Sequence, residues 1–198
     1  MTKNHSFDEA YYRRFYEQVD SRVESDAEIA NRGAFVCSYL KFIGQPVRRV
    51  LDLGCGVGHW RSIVKRQFPK AAYQGVEVSE HLCQRYGWQR ASIEQYDSTK
   101  EYDLVICQDV LQYLPAKSAA KAIDNLHRLC RGVLYLQVLT KADWEHNCDQ
   151  QRTDGDVYKR RGDWYRQRLS TNFINVGGGC FVSRKSDIVL YELESVDA

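Results

Sequence analysis

Arg49-Val-Leu-Asp-Leu-Gly-Cys-Gly-Val-Gly-His-Trp60 is the stretch whose reading decides the fold. Val50, Leu51 and Leu53 read as a short buried strand. Gly54, Gly56 and Gly58 then make a turn that side chains would obstruct, because glycine accepts positive φ and lets a ligand approach the backbone. Beyond it Trp60, Ile63, Val64 and Phe68 fall at helical spacing, so the turn opens a helix whose first N–H groups are free to meet a ligand. The spacing narrows what that ligand is. A dinucleotide fingerprint needs its third glycine where this chain has His59. A pyrophosphate also wants bare N–H groups with no carboxylate beside them, whereas Asp52, inside the strand, suits a ligand that carries an ammonium group.

Working outward, strands and helices alternate, the pattern of a parallel sheet wrapped on both faces. Ala72 to Val78 reads as the second strand, with Glu77 at its end about twenty residues past the glycine turn. A carboxylate placed there can accept both hydroxyls of a ribose. Ser79 caps a short helix through Tyr86, and Ala91 to Tyr96 is expected to be the third strand or its end. Leu104 to Cys107 is a continuous apolar run, as a strand buried on both faces requires. Gln108, Asp109, Val110, Gln112 and Tyr113 stand at its carboxyl end, where ligands bind in open α/β sheets. Ser118 is expected to open a helix that Gly132 stops, and Val133 to Leu139 is the fifth strand. Phe173–Val176, Cys180–Val182 and Ile188–Tyr191 are candidates for the closing strands, with Gly177-Gly-Gly179 as a turn.

The glycine-rich turn with Asp52, the strand-end Glu77 and the Gln108–Tyr113 loop together resemble the class I S-adenosylmethionine-dependent methyltransferases. The resemblance covers Val50 to Leu139, a little under half the chain. It implies a doubly wound, mostly parallel seven-stranded α/β sheet with an antiparallel strand near its end. It implies S-adenosyl-L-methionine as cofactor and in-line methyl transfer to an acceptor. In its terms Asp52 and the Gly54, Cys55, Gly56 and Gly58 backbone hold the methionine end, and Glu77 and Val78 meet the ribose. Gln108, Asp109 and Val110 then border the sulfonium. The family often has an aspartate or asparagine after the third strand that bonds the adenine amino group. This chain has Ala91 and Ser92, so groups around Ser92 and Ile93 are expected to take over that contact. The loop after the fourth strand lacks the Asn/Asp-Pro-Pro-aromatic sequence used on exocyclic amines of bases and has Asp109-Val-Leu-Gln instead. That points to a small-molecule acceptor, with a protein acceptor and a non-catalytic cofactor-binding subunit as alternatives. A nicotinamide-dependent oxidoreductase is the nearest rival by fold, and His59 and Asp52 argue against it.

The outer segments supply acceptor candidates. Ser6-Phe-Asp-Glu9 reads as a capping box that starts a helix. Phe7, Tyr11 and Phe15 run along that helix at four-residue steps, with Tyr12, Tyr16 and Val19 alongside. Residues 1–45, including a second helix from Asp26 to Ile43, are read as a helical lid on a core of residues 46–198, the whole forming one domain. Tyr11, Tyr12 and Tyr16 are then lid candidates with hydroxyls available to substrate, and Tyr113, Trp144 and His146 are further substrate-binding candidates. Asp109, His146 and Tyr113 are the candidate bases, in that order. The polar run Asp143–Arg152 contains His146, Cys148 and Asp149 without any recognised metal-ligand spacing, so no metal is expected.

Composition excludes several classes. With 28 Lys and Arg against 26 Asp and Glu in 198 residues, the charge lacks the basic excess of a general nucleic-acid or membrane binder. The seven cysteines (37, 55, 83, 107, 130, 148 and 180) are odd in number, contain no C-x-x-C and sit largely in apolar runs. They read as reduced thiols of a cytoplasmic protein. No apolar run approaches membrane-spanning length, and the first residues do not read as a signal peptide.

Overall fold

The computed structural model describes residues 6–195. In chain order these form α1 (Glu9–Tyr12), continued by a π-helical turn over Arg13–Glu17, then α2 (Asp26–Phe42), β1 (Arg49–Leu53) and α3 (His59–Gln67). Next come β2 (Ala72–Glu77), α4 (Glu80–Tyr86), β3 (Gln89–Arg90), β4 (Tyr102–Gln108), α5 (Ala116–Leu129) and β5 (Cys130–Gln137). The chain closes with α6 (Lys141–His146), α7 (Gly162–Leu169), β6 (Phe173–Asn175) and β7 (Cys180–Ser183).

The seven strands make one sheet in the order β3-β2-β1-β4-β5-β7-β6. The pairings from β3 through β5 are parallel. β7 runs antiparallel to both β5 and β6. The strand order reverses between β1 and β4, which opens a crevice at their carboxyl ends.

Alternation along the strands sorts the core into two layers. Leu51, Leu53, Val105, Cys107, Leu134 and Leu136 face α5 and α7. Val50, Leu104, Ile106, Val133 and Tyr135 face α2 and α3. Asp52 falls on the α2–α3 side by the same period, a carboxylate at 1% exposure among apolar neighbours. Gly33 lets α2 lie close on α3, since a Cβ there would stand 2.6 Å from the Ile63 side chain. α2 therefore packs Val36, Cys37 and Leu40 against the sheet as part of the core, not as a covering element.

Several expected boundaries shift, each for a local reason. Asp8, not Ser6, caps α1: its carboxylate accepts the Tyr11 N–H at 3.0 Å, and the Ser6 hydroxyl donates to Asp8 at 2.6 Å. β3 is the short pair Gln89–Arg90, and Ala91–Tyr96 turns away, closed by N–H bonds from Gln95 and Tyr96 to the Ser92 carbonyl. α5 starts at Ala116 behind Pro115 and passes directly into β5 at Cys130, two residues before Gly132. The hairpin is Phe173–Ser183 across the glycine turn, in which Gly177, Gly178 and Gly179 all have positive φ. β7 is already paired on both edges, so Ile188–Tyr191 adds no strand.

Candidate active site

The turn after β1 has the geometry its glycines imply. Gly54, Gly56 and Gly58 lie at φ 80°, 51° and 86°, a region costly for residues with a Cβ. A Cβ on Gly54 would strike Val110 at 2.3 Å, so the β1 and β4 loops close on each other there. A Cβ on Gly56 would meet no atom within 4 Å and would project into open space. That space belongs to a cavity of about 430 Å³ at the carboxyl ends of β1 and β4.

The cavity wall gathers many of the expected residues. Asp52, Gly54, Cys55, Gly56, Gln108 and Asp109 line it, and so do Tyr16 and Tyr113 with Tyr11 beside them. Asp52 accepts a hydrogen bond from the Tyr73 hydroxyl, yet burial dominates and pushes its carboxyl up to about 7. Gln108 is fixed at both ends: its Oε1 accepts from the Trp60 indole at 2.8 Å, and its Nε2 donates to Glu24 at 3.3 Å. Asp109 is the described non-glycine residue with positive φ, 56°. Its carboxylate accepts from Gln108 Nε2 and Gln112 Nε2, each at 3.3 Å, while burial raises its pKa. Strain and desolvation concentrated on one acid at the end of a central strand make Asp109 a candidate for chemistry.

Glu77 lies next to this wall rather than in it, at 4% exposure. Its Oε1 accepts the N–H groups of Val78 and Ser79 at 2.8 and 3.0 Å, and Oε2 accepts that of Gly56 at 2.9 Å. A carboxylate has about four acceptor positions, so it is oriented by three and keeps room for another donor. The N-terminal segment covers it. The Tyr12 ring is buried with its hydroxyl close to Glu77 and Ser79, and the Ser79 hydroxyl donates to the Phe7 carbonyl at 2.6 Å. Tyr11 and Tyr113 share a hydroxyl contact of 2.7 Å, and Phe7 meets the Tyr113 ring edge-on at 5.2 Å.

Other expectations separate from the cavity. Gly58 starts α3 and backs onto Trp88, and Val110 packs on Gly54. The Val78 side chain is 47% exposed. Ile93 is core and its carbonyl accepts from Asn125 at 2.7 Å, while the Ser92 hydroxyl is buried without a partner. Trp144 is occupied by the Lys159 ammonium, 3.8 Å from its ring centre, and by Gly155. His146 stands exposed at the end of α6, outside the cavity lining. That segment reaches the wall through Asn147, Cys148 and Asp149 instead. Sequence reading missed Glu24, Glu28, Arg32, Gln137 and Asp154, which also line it, and met Arg152 only as the end of the polar run. They come from three separate stretches with no motif, so no local signal marked them as cavity lining.

The crevice at a reversal of strand order, the open glycine backbone and the oriented strand-end carboxylate define a class I methyltransferase fold. The Methyltransferase domain family matches residues 28–186, and the chain belongs to it. A malonyl-(acyl-carrier protein) O-methyltransferase of Anoxybacillus flavithermus is 31% identical over 104 residues, 48% of this chain and 40% of that protein. A trans-aconitate 2-methyltransferase of Deinococcus radiodurans is 30% identical over 105 residues, 50% of this chain and 41% of that one. The chain thus spans under half the length of these curated relatives. In fold it is similar to magnesium protoporphyrin IX methyltransferase from Synechocystis PCC 6803, solved with bound S-adenosylmethionine. That likeness has a TM-score of 0.57 and 21% identity, and covers 91% of this chain and all of that one.

Proposed function

We propose that this chain transfers a methyl group from S-adenosylmethionine to a small-molecule acceptor. The carrying observation is the Gly54–Gly58 turn, whose backbone opens onto the cavity with Asp52 behind it and Glu77 oriented beside it. The donor set fits the cofactor. A Cβ at Gly56 would fill the space the ligand needs, the buried Asp52 carboxylate suits an ammonium group, and Glu77 keeps an acceptor position for a ribose hydroxyl. When bound, the cofactor supplies an electrophilic methyl group on a sulfonium.

This chain then has two tasks. Gln108, locked by Trp60 and Glu24, and the strained Asp109 shape the space in which the acceptor stands. Holding reacting atoms at about 3–3.5 Å with aligned orbitals supplies roughly 7–11 kcal/mol of a barrier. Asp109 also takes a proton where the acceptor must lose one, and its raised pKa makes it a stronger base at neutral pH. Tyr113 and Tyr16 face the same space, but burial raises both phenols, so they serve as hydrogen-bonding walls rather than as phenolates. The residues before α2 act as the lid. No helix among the described residues is long and apolar enough to cross a membrane, and all seven cysteines are unpaired, which supports a cytoplasmic setting.

The test is calorimetry with S-adenosylhomocysteine. Loss of a hydrogen bond to a charged acceptor costs about 1.5–3 kcal/mol, so Glu77→Ala is expected to weaken binding about ten- to hundredfold. Unchanged affinity in that variant would remove the assignment.

A further inference from the structure

The cavity wall is unevenly charged, and the imbalance survives after internal partners are assigned. Glu24 is held by the Arg32 guanidinium. Glu28 is bonded by Ser25 and has Arg152 near enough to lower its pKa further. Those two arginines are the cations of the wall, and burial keeps His59 toward its neutral form. Asp109, Asp149 and Asp154 line the same wall, and among the described residues none has a cation within ion-pair distance.

A second observation is independent of charge. Gln112 is 3% exposed and lines the cavity, and its Oε1 is buried without a hydrogen-bond partner. Its orientation is fixed, because Nε2 donates to the Asp109 carboxylate; the flipped amide would set oxygen against oxygen. A buried orphan carbonyl requires a donor. The rings of Tyr11, Tyr16 and Tyr113 complete this end, with Asp154 beside the Tyr11 hydroxyl, and aromatic faces attract cations. An anionic acceptor would meet an unmatched carbonyl and three carboxylates without an ion pair, of which Asp149 is solvent-exposed and Asp109 feels Arg32 only at longer range. A cationic donor satisfies all of them.

We propose that the acceptor is a small-molecule amine that enters as its ammonium form, with Asp109 and Gln112 Oε1 taking its N–H groups and Asp154 and the tyrosine rings facing its charge. The proposal rests on reading this cavity as the methyl-transfer site. One ammonium proton passes to Asp109. The freed nitrogen lone pair forms the new N–C bond as the C–S bond breaks, and the C–S pair stays on sulfur, which leaves as a neutral thioether.

The experiment uses the full chain saturated with S-adenosylhomocysteine and titrated with shape-matched pairs: phenethylamine against 3-phenylpropionate, and other primary amines against their carboxylates. The expected result is amine binding at least about tenfold tighter than the matched carboxylate. Asp154→Asn should cut that preference about tenfold while leaving S-adenosylhomocysteine affinity unchanged, which also reports that the variant is folded. Carboxylates binding as well as or better than amines, or no amine of the panel binding at millimolar concentration, would overturn the proposal. Failure of S-adenosylhomocysteine itself to bind would overturn the methyl-transfer reading, and this proposal with it.

Discussion

Asp52 shows how one side chain can cost the fold and serve the site. Burial pushes its carboxyl up to about 7, against about 3.9 in an unfolded chain. Between those values the folded state keeps a proton that the unfolded chain has released, so folding stability falls as pH rises across this window. Asp52→Asn removes the titration and can still accept from Tyr73. Thermal melts of the cofactor-free variant should match the parent near pH 4 and exceed it near pH 8, while its S-adenosylhomocysteine affinity falls. Equal melting curves at every pH would show that Asp52 carries no such burden. The sequence made Asp52, Glu77, Gln108 and Asp109 legible because each is tied to a strand end by local spacing. It could not show that Glu77 is clasped by three backbone N–H groups, since those come from two loops that meet only in space.

At the scale of elements, the central strands were legible because their apolar runs are long and buried on both faces, as in Leu104–Cys107. β3 was misplaced because its two residues, Gln89 and Arg90, are polar and exposed and carry no periodicity. The role of α2 was misread for a related reason. Ile29, Val36, Leu40 and Ile43 mark its apolar face at helical spacing, but the spacing did not say what that face packs against. Contact with α3 decides that, through Gly33. Gly33→Leu would push Ile63 aside and part the two helices, an overpacking that costs about 1–3 kcal/mol. At about 2–4 °C per kcal/mol for a chain of this size, a fall of several degrees in Tm is expected. An unchanged Tm would mean the helices have slack that the packing does not show.

Across the whole molecule, the crevice at the strand ends and the proposed acceptor wall differ in how they are made. The crevice follows from topology, because β1 and β4 lie side by side where the strand order reverses. The acceptor wall is assembled from both flanks of the sheet: Tyr11 and Tyr16 from the front of the chain, Asp149 and Asp154 from the stretch after α6. No local motif can announce such an arrangement: the stretch that holds Trp144 and His146 reaches the cavity through Asn147, Cys148 and Asp149. The Ser79 hydroxyl latches the front of the chain to the end of β2 through the Phe7 carbonyl. If the cofactor sits at Glu77 as proposed, the Tyr12 ring and the Phe7 contact cover its exit, and release would require that strap to swing away. Rapid-quench mixing with a good acceptor should therefore record a pre-steady-state burst, close to one product per chain, ahead of a slower linear phase.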